Sequence, residues 1–195
     1  MGEDDGRRQR RARNRDAVVD ALLAIVANGD LAPSAEAIAA RAGLSSRSLF
    51  RYFADVDDLC RAAIARQHER VAPLLERALD DDRTIAGRVR DVVTHRVELF
   101  DAMGGVGRLA RLRAPFQPLI ADELADVRRL LRQRMALALA PELTARDALD
   151  AADVLCSFEA YRLLRDDLGR SRDAAIDVMA GGVVGLVAAT VVAVP

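Results

Sequence analysis

The chain has 195 residues, of which 51% are hydrophobic and 30% are charged, and all 29 of its basic residues are arginine. This length and composition predict a folded globular protein with one large domain or two small ones, and they exclude a disordered chain. The formal net charge of -1 arises because arginines and acidic residues are nearly equal in number.

The two cysteines, Cys60 and Cys156, lie far apart, and neither belongs to a CxxC pattern or has a histidine beside it. The sequence therefore predicts neither a disulfide framework nor a zinc site, and we expect no metal and no cofactor. The N-terminus lacks the apolar segment of a secretory signal peptide. Together these features favour a cytoplasmic protein.

The segment RRQRRARNR at residues 7–15 carries six arginines and no acidic residue. Basic segments of this kind bind polyanions, and they also occur as solvated, disordered tails. The sequence leaves both interpretations open. We define residues 1–13 as a basic N-terminal arm that precedes the folded domains.

Apolar residues recur at intervals of three and four along almost the whole chain, and no useful stretch alternates with period two. The sequence therefore predicts an all-α protein of about nine helices. The first helix is predicted over residues 14–28, with Gly29 at its C-cap. A second, short helix follows Ser34, whose hydroxyl can cap it, and stops at Gly43.

The segment GLSSRSLFRYF at residues 43–53 predicts a third helix with one packing face and one exposed face. Leu49 and Phe53 share the packing face, whereas Arg47 and Arg51 lie broadly opposite. Two short helices joined by a glycine turn, with arginines exposed on the second, are the layout of a helix-turn-helix. Arginine can bind guanine O6 and N7 with two hydrogen bonds, and it also pairs with phosphates.

A fourth helix is predicted after Asp55, because Asp58 follows it at the spacing of a capping box. Pro73 either kinks this helix or ends it. The remaining helices are predicted at residues 84–103, 106–113, 116–139, 145–168 and 172–194. We place the domain boundary within the fourth helix.

Residues 14–67 closely resemble the N-terminal domain of the tetracycline-repressor (TetR) family of bacterial transcriptional regulators. The matching residues, in the order and spacing of the family, are Gly29, Ser34, Ile38, Ala39, Arg41, Ala42, Gly43, Leu44, Ser45, Ser48, Leu49, Phe50, Tyr52, Phe53, Asp58 and Leu59. The resemblance implies a three-helix helix-turn-helix DNA-binding domain at residues 14–60. It also implies that residues 61–195 form a helical domain that binds a small-molecule ligand and forms a homodimer through the last two helices.

The resemblance further implies that the third helix is the recognition helix. The implied DNA-binding residues are Ser34, Ser45, Ser46, Arg47, Ser48, Phe50, Arg51 and Tyr52. Among these, Ser34 and Tyr52 would contact phosphates, which position the helix without reading sequence. Phe50 stands where many relatives have a tyrosine, and Val56 stands near a position where many have a lysine. The basic arm could replace the phosphate contacts that these two positions lack.

The resemblance does not identify the ligand, so candidate ligand-binding residues come from the apolar faces of the predicted helices. On the helix at residues 84–103, Arg96 lies near the centre of an apolar stripe, and a buried charge needs a partner. That partner is either an internal carboxylate or an anionic group of a ligand. The candidate ligand-binding residues are Arg96, Phe100, Met103, Phe116, Phe158 and Tyr161. Core packing explains the aromatic residues equally well.

Three further polar residues of this helix, Asp91, His95 and Glu98, share the opposite face. Their spacing could suit a metal ion, but a solvated face is the simpler interpretation. No Glu-x-x-His pair, nucleophile motif or phosphate-binding loop occurs in the chain, which disfavours a helical-bundle enzyme.

No charge occurs in residues 178–195, and that length reaches the minimum for a membrane span. Gly181, Gly185 and Ala189 recur there at four-residue spacing, which allows close approach of another helix in a soluble dimer as well as in a membrane. The leading hypothesis is therefore a homodimeric, ligand-responsive repressor that binds a palindromic operator. A helical-bundle enzyme and a tail-anchored membrane protein are the alternatives.

Overall fold

The computed structural model describes residues 2–78, 84–140, 142–143 and 146–192. Throughout these ranges the chain forms helices and turns and no β-strand, which confirms the predicted all-α fold. The chain divides into two compact units. The first comprises the described residues of Met1–Ala72 and Met103–Leu124, and the second comprises those of Pro73–Ala102 and Ala125–Pro195.

The first unit is built on three N-terminal helices that enclose a small core. Its helices are α1 (Gly2–Ala27), α2 (Ala35–Arg41), α3 (Ser46–Tyr52), most of α4 (Val56–Glu76), the second half of α5 (Ile85–Arg113) and the first turns of α6 (Pro118–Ala138). The buried core residues are Val18, Val19, Ala21, Leu23, Ile38, Ala39, Leu49 and Phe53. As predicted, the apolar side of α3 packs inward, and its polar side is left outside.

Local cap signals set the ends of α1 and α2. Gly29 has a φ of 100°, and its amide donates to the carbonyl of Val26 at 3.0 Å, which closes α1. The Ser34 hydroxyl accepts a hydrogen bond from the Ala37 amide at 3.1 Å at the start of α2. Gly43, with a φ of 69°, supplies the left-handed turn between α2 and α3. All three boundaries follow the sequence prediction.

The first helix begins much earlier than predicted, at Gly2 rather than at residue 14. Arginine, glutamine and alanine are strong helix formers, and residues 7–15 contain little else. Once the packed part of α1 is formed, extending it costs little, because each added residue gains one backbone hydrogen bond. The basic segment is therefore part of a continuous helix.

Two predicted interruptions have different outcomes. Pro73 does not end α4, which continues to Glu76. The helices predicted at residues 84–103 and 106–113 are assigned as one element, α5, but Gly104 breaks its helical geometry with a φ of 42° and a ψ of -122°. Glycine is the residue that tolerates such a conformation, and the break lies at Gly104, in the gap between the two predicted helices.

The second unit contains the start of α5, most of α6 and three further helices. These are α7 (Arg146–Leu155), α8 (Phe158–Arg162), which continues into a π-helical turn (Leu163–Asp167), and α9 (Arg172–Val192). The helix predicted at residues 145–168 is interrupted because Ser157 caps α8, accepting a hydrogen bond from the Ala160 amide at 3.1 Å. Within the described residues, no helix combines the length and the apolar character needed to cross a bilayer.

One close approach in the first unit depends on the absence of a side chain. A Cβ atom added at Gly105 would lie 2.0 Å from the carbonyl oxygen of Val26, so α5 touches the backbone of α1 there. We expect Gly105→Ala to lower the free energy of unfolding by about 3 kcal/mol, because backbone on both sides must shift. Chemical denaturation monitored by circular dichroism measures this change.

Gly6→Ala is the matched control, since a Cβ at Gly6 in α1 meets no atom within 4 Å. It should leave the unfolding free energy unchanged to within about 1 kcal/mol. Equal denaturation midpoints for the two variants would contradict the proposed contact.

Candidate nucleic-acid interface

Helix α3 is fixed by a cap at one end and by two buried side chains. The Ser45 hydroxyl accepts a hydrogen bond from the Ser48 amide at 3.3 Å and lies 3.0 Å from the Ser48 hydroxyl. Leu49 and Phe53 are each only 5% exposed. A helix of seven residues would not be stable alone, so these contacts determine both its existence and its orientation.

The outer face of α3 carries the other predicted contact residues. Arg47, Phe50 and Arg51 are exposed, and Ser46 and Ser48 are partly exposed. Phe50 has 68% of its surface accessible, which is unusual for a phenylalanine on a helix that also has a buried face. Ser34, at the start of α2, is exposed as well.

Tyr52 lies at the junction of α1 and α3. Its hydroxyl accepts a hydrogen bond from the Asn14 side chain at 2.7 Å, and the Arg51 guanidinium carbon lies 6.0 Å from its ring centre. The Asn14 hydrogen bond lowers the pKa of Tyr52, with further contributions from Arg51 and from the nearby charge of Arg11. Arg11 of α1 is therefore close enough to Tyr52 to influence its pKa.

Arg15 connects α1 to both neighbouring helices. Its guanidinium donates to the Tyr52 carbonyl at 2.8 Å and to the Asp58 carboxylate at 3.0 and 2.6 Å. It also lies 4.4 Å from the centre of the Phe53 ring. Asp58 accepts the Ala54 amide at 3.1 Å as well. The Arg15 hydrogen bonds, followed by that amide, lower the pKa of Asp58 to about 2.

Sequence reasoning missed this network. It placed Arg15 in the basic segment and gave Asp58 a role only as a capping residue. Asp58 does receive the predicted cap, because its amide donates to Asp55 at 2.7 Å, but its carboxylate serves Arg15. The partners are 43 residues apart, and no local pattern links them.

Arginines outnumber acidic residues in the segment that contains most of α1 and all of α2 and α3. Residues 6–53 contain nine arginines and four acidic residues. Among the side chains that the structure describes from residue 6 onward, no hydrogen-bond or ion-pair partner is found for Arg7, Arg8, Arg10, Arg11, Arg13 and Arg47. By contrast, Arg66 of α4 is held by Asp16, Asp20 and Glu69. The inner side of α3 is packed and its outer side is exposed, and arginines exceed acidic residues around it. Such a surface suits a polyanion such as DNA.

No protein-family model matches this sequence, and no curated protein does. Among solved structures, the chain is similar to a protein from Rhodococcus sp. that is assigned to the TetR family of transcriptional regulators. The two chains are 17% identical, the match covers 89% of this chain and 98% of that one, and the TM-score is 0.63. The chain has the TetR-family fold.

Within this TetR-family fold, the second unit contains most of the predicted ligand-binding residues. Arg96 is 3% exposed and donates to the carbonyls of Cys156 at 3.0 Å and Leu131 at 2.9 Å, and to the Asp153 carboxylate at 2.7 Å. The structure therefore supplies the internal carboxylate that the sequence left as one of two alternatives. Arg96 joins α5, α6 and α7 through these bonds.

The aromatic candidates of the second unit form one buried cluster. The Phe100 ring meets Phe158 edge-on at 5.5 Å and lies 6.1 Å from Tyr161. The Tyr161 hydroxyl donates to Asp101 at 2.6 Å, and burial together with this carboxylate raises the pKa of Tyr161 to about 12.

Two predicted ligand-binding residues lie outside this cluster, in the first unit. Met103 is partly buried, and Phe116, in a 3-10 turn (Ala114–Phe116), is 81% exposed. The sequence grouped them with the second-unit aromatics because helical spacing does not show where the chain passes from one unit to the other.

The predicted solvated face of α5 is wrong for His95. His95 is 2% exposed, and its Nε2 lies 2.5 Å from the carbonyl oxygen of Leu74, while burial lowers its pKa. Arg77 pairs with Glu98 at 2.7 Å and lies 3.9 Å from Asp91. The end of α4 covers this face, which helical periodicity alone could not reveal. In the described part of the chain, no three metal-ligating side chains come together.

The Arg15–Asp58 pair predicts a specific dependence of stability on pH. The pKa of Asp58 falls from an ordinary 3.8 to about 2 in the folded chain. The pair therefore stabilises the fold above pH about 4, and this contribution is lost as the pH falls towards 2. In Asp58→Asn, that pH-dependent part should be absent, so the difference in thermal midpoint from the wild type should shrink between pH 4 and 2.

Asp57→Asn is the control, because it removes a charge from the same turn without touching Arg15. Because Asp58 still pairs with Arg15 in this variant, the pH-dependent contribution of that pair should remain. If the difference between wild type and Asp58→Asn stays constant from pH 6 to pH 2, the assignment of the stabilising pair is wrong.

Proposed function

We propose that this protein is a homodimeric transcriptional repressor that binds a palindromic operator and is released by a small-molecule effector. The observation that carries the proposal is α3, which has its apolar side buried and presents Arg47 and Arg51 on its outer side. The similar Rhodococcus protein, assigned as a transcriptional regulator, adds support at the level of the fold. We place the protein in the cytoplasm and assign it no catalytic activity, metal or cofactor.

Direct reading of bases is assigned to the outer face of α3. Arg47 is exposed and has no partner in the described ranges, so its guanidinium is available for a guanine edge. The serines Ser46 and Ser48 suit short hydrogen bonds to bases or phosphates. Phe50 offers an apolar contact of the kind that recognises a thymine methyl group.

Phosphate contacts are assigned to Ser34 and Tyr52. The hydrogen bonds that their hydroxyl groups already make still allow each hydroxyl to donate to a phosphate. A hydroxyl has one proton and two acceptor positions. The Tyr52 oxygen accepts from Asn14, and the Ser34 oxygen accepts from the Ala37 amide. In each case the hydroxyl proton remains available to a phosphate oxygen.

The dimer interface is assigned to α7 and α9. Gly182 faces Leu155 of α7, since a Cβ there would lie 3.1 Å from the Leu155 side chain. Gly181 and Gly185 face open space on another side of α9, and Val178, one turn earlier, is 45% exposed. Val154 of α7 is 69% exposed. Such exposed apolar surface is expected to be covered by a second copy of the chain.

Ligand control is assigned to the second unit. An effector that binds better to a conformation unsuited to the operator would release the protein by a shift of populations. The cluster of Phe100, Phe158 and Tyr161 and the nearby Arg96 remain the candidate residues for this site.

Two substitutions on α3 separate base reading from phosphate contact. Arg47→Ala should reduce discrimination by about 1 to 3 kcal/mol at one base pair in each half-site, because a guanidinium contact to a base edge is lost. Tyr52→Phe should weaken binding to all sequences alike. Fluorescence anisotropy with a duplex selected from a random library, and with single-base variants of it, measures both effects.

Asn14→Ala serves as the control for Tyr52→Phe, because it removes only the internal hydrogen bond of the tyrosine. It should weaken DNA binding less than Tyr52→Phe does. Identical base preferences for Arg47→Ala and Tyr52→Phe would refute this division of roles.

A charged substitution on α9 tests the dimer. Gly185→Glu should convert the protein to monomers, because the new side chain has room within its own protomer but would bury a charge in the interface. Sedimentation velocity measures the change in mass. Leu137→Glu, at an α6 position that is 80% exposed, is the control and should remain dimeric. An unchanged mass for Gly185→Glu would exclude α9 as the interface.

A further inference from the structure

The N-terminal part of α1 is a helix that packs against nothing described. Every residue at positions 6–13 is exposed, whereas burial begins at Val18. The same helix therefore has two parts: one carries the apolar core face, and the other carries arginines in open solvent.

The two parts share one face. At about 100° per residue, Arg7 and Arg11 fall within about 20° of Val18 around the helix axis. Arg10 and Arg13 lie about 80° and 140° from Val18. Arg7 and Arg11 thus continue the inward-facing stripe of α1 beyond the point where protein covers it, and we call these two residues the arginine stripe.

The arginine stripe begins beside α3. Asn14, about 4.5 Å further along the helix axis than Arg11, holds the Tyr52 hydroxyl of α3. The charge of Arg11 also reaches that hydroxyl, since it helps to lower the pKa of Tyr52. Arg7 lies about 6 Å beyond Arg11 on the same face. A polyanion that contacts Tyr52 would therefore pass next to the stripe.

We propose that Arg7 and Arg11 bind phosphates of the DNA backbone beside the half-site contacted by α3, as a rigid helical extension. This inference rests on the proposed DNA-binding function. Among the side chains that the structure describes from residue 6 onward, neither arginine has a partner, and the phosphate backbone supplies the charge that complements them.

The helical form of the segment decides which part of DNA it binds. The minor groove of B-DNA is about 6 Å wide, whereas a helix with its side chains is about 10 to 12 Å across. A continuous helix therefore does not enter the minor groove as an extended arm would. It lies against the backbone, and its contribution is independent of base sequence.

The test compares two variants that remove the same charge from different sides of one helix. Arg7→Gln/Arg11→Gln removes the stripe, and Arg10→Gln/Arg13→Gln is the matched control. Glutamine preserves helix propensity, and circular dichroism checks that each variant is folded. The full-length chains are titrated at several salt concentrations with a duplex that the wild type selects from a random library.

The stripe variant should reduce the slope of log affinity against log salt by about 1.8 for each bound protomer, since each phosphate contact contributes about 0.9. Its preference among single-base variants of the duplex should equal that of the wild type. The control variant should change the slope by less than half as much. Equal slopes for the two variants, or a changed base preference for the stripe variant, would overturn the proposal.

Two further outcomes separate this proposal from its alternatives. If the wild type selects no duplex at all, the proposed function fails and this inference fails with it. If the wild type selects a duplex but the stripe variant binds it with an unchanged salt slope, only the stripe assignment fails. In that case, we would compare how the two proteins sediment with phosphatidylserine vesicles. If the wild type sediments with the vesicles and the stripe variant does not, the arginines bind a membrane surface instead.

Discussion

The guanidinium of Arg15 bonds to the carbonyl of Tyr52 and to the carboxylate of Asp58, and it lies over the ring of Phe53. These groups belong to the last turn of α3, the residue that ends it and the first turn of α4. A seven-residue helix has too few internal hydrogen bonds to persist alone. The direction in which α3 presents its arginines is therefore set from α1, by this cation and by the burial of Leu49 beside it.

The same physical rule explains why arginines of this chain behave differently. Where a carboxylate is within reach, the arginine is structural, as with Arg15 on Asp58, Arg66 on Asp20 and Arg96 on Asp153. Where no described carboxylate lies within reach, the arginine stays in solvent, as with Arg47 on α3. A chain with almost no net charge can therefore still have a basic surface, because many of its carboxylates form ion pairs with arginines elsewhere. Net charge alone says little about its partners.

Local chemistry made much of the fold predictable. The caps at Gly29 and Ser34 and the break at Gly104 each depend on one residue and its immediate neighbours, and each lies where the sequence indicates. The length of α1 and the burial of His95 were not predictable in this way. A run of arginines suggests a disordered tail when it is considered apart from the packed helix that it extends. A helix face with several polar residues suggests exposure to solvent, but here the end of a helix distant in sequence covers it. Arg15 was missed for the same reason.

Tyr52 shows how fold and recognition depend on each other at the candidate DNA interface. Its carbonyl is held by Arg15 and its hydroxyl oxygen by Asn14, so two successive residues of α1 fix both ends of one tyrosine. The hydroxyl proton is the group left for a phosphate. The position of Tyr52, and so of this proton, therefore depends on how α1 is rotated about its axis. Because α1 continues as a helix to Gly2, the rotation of α1 also determines where Arg7 and Arg11 lie relative to Tyr52.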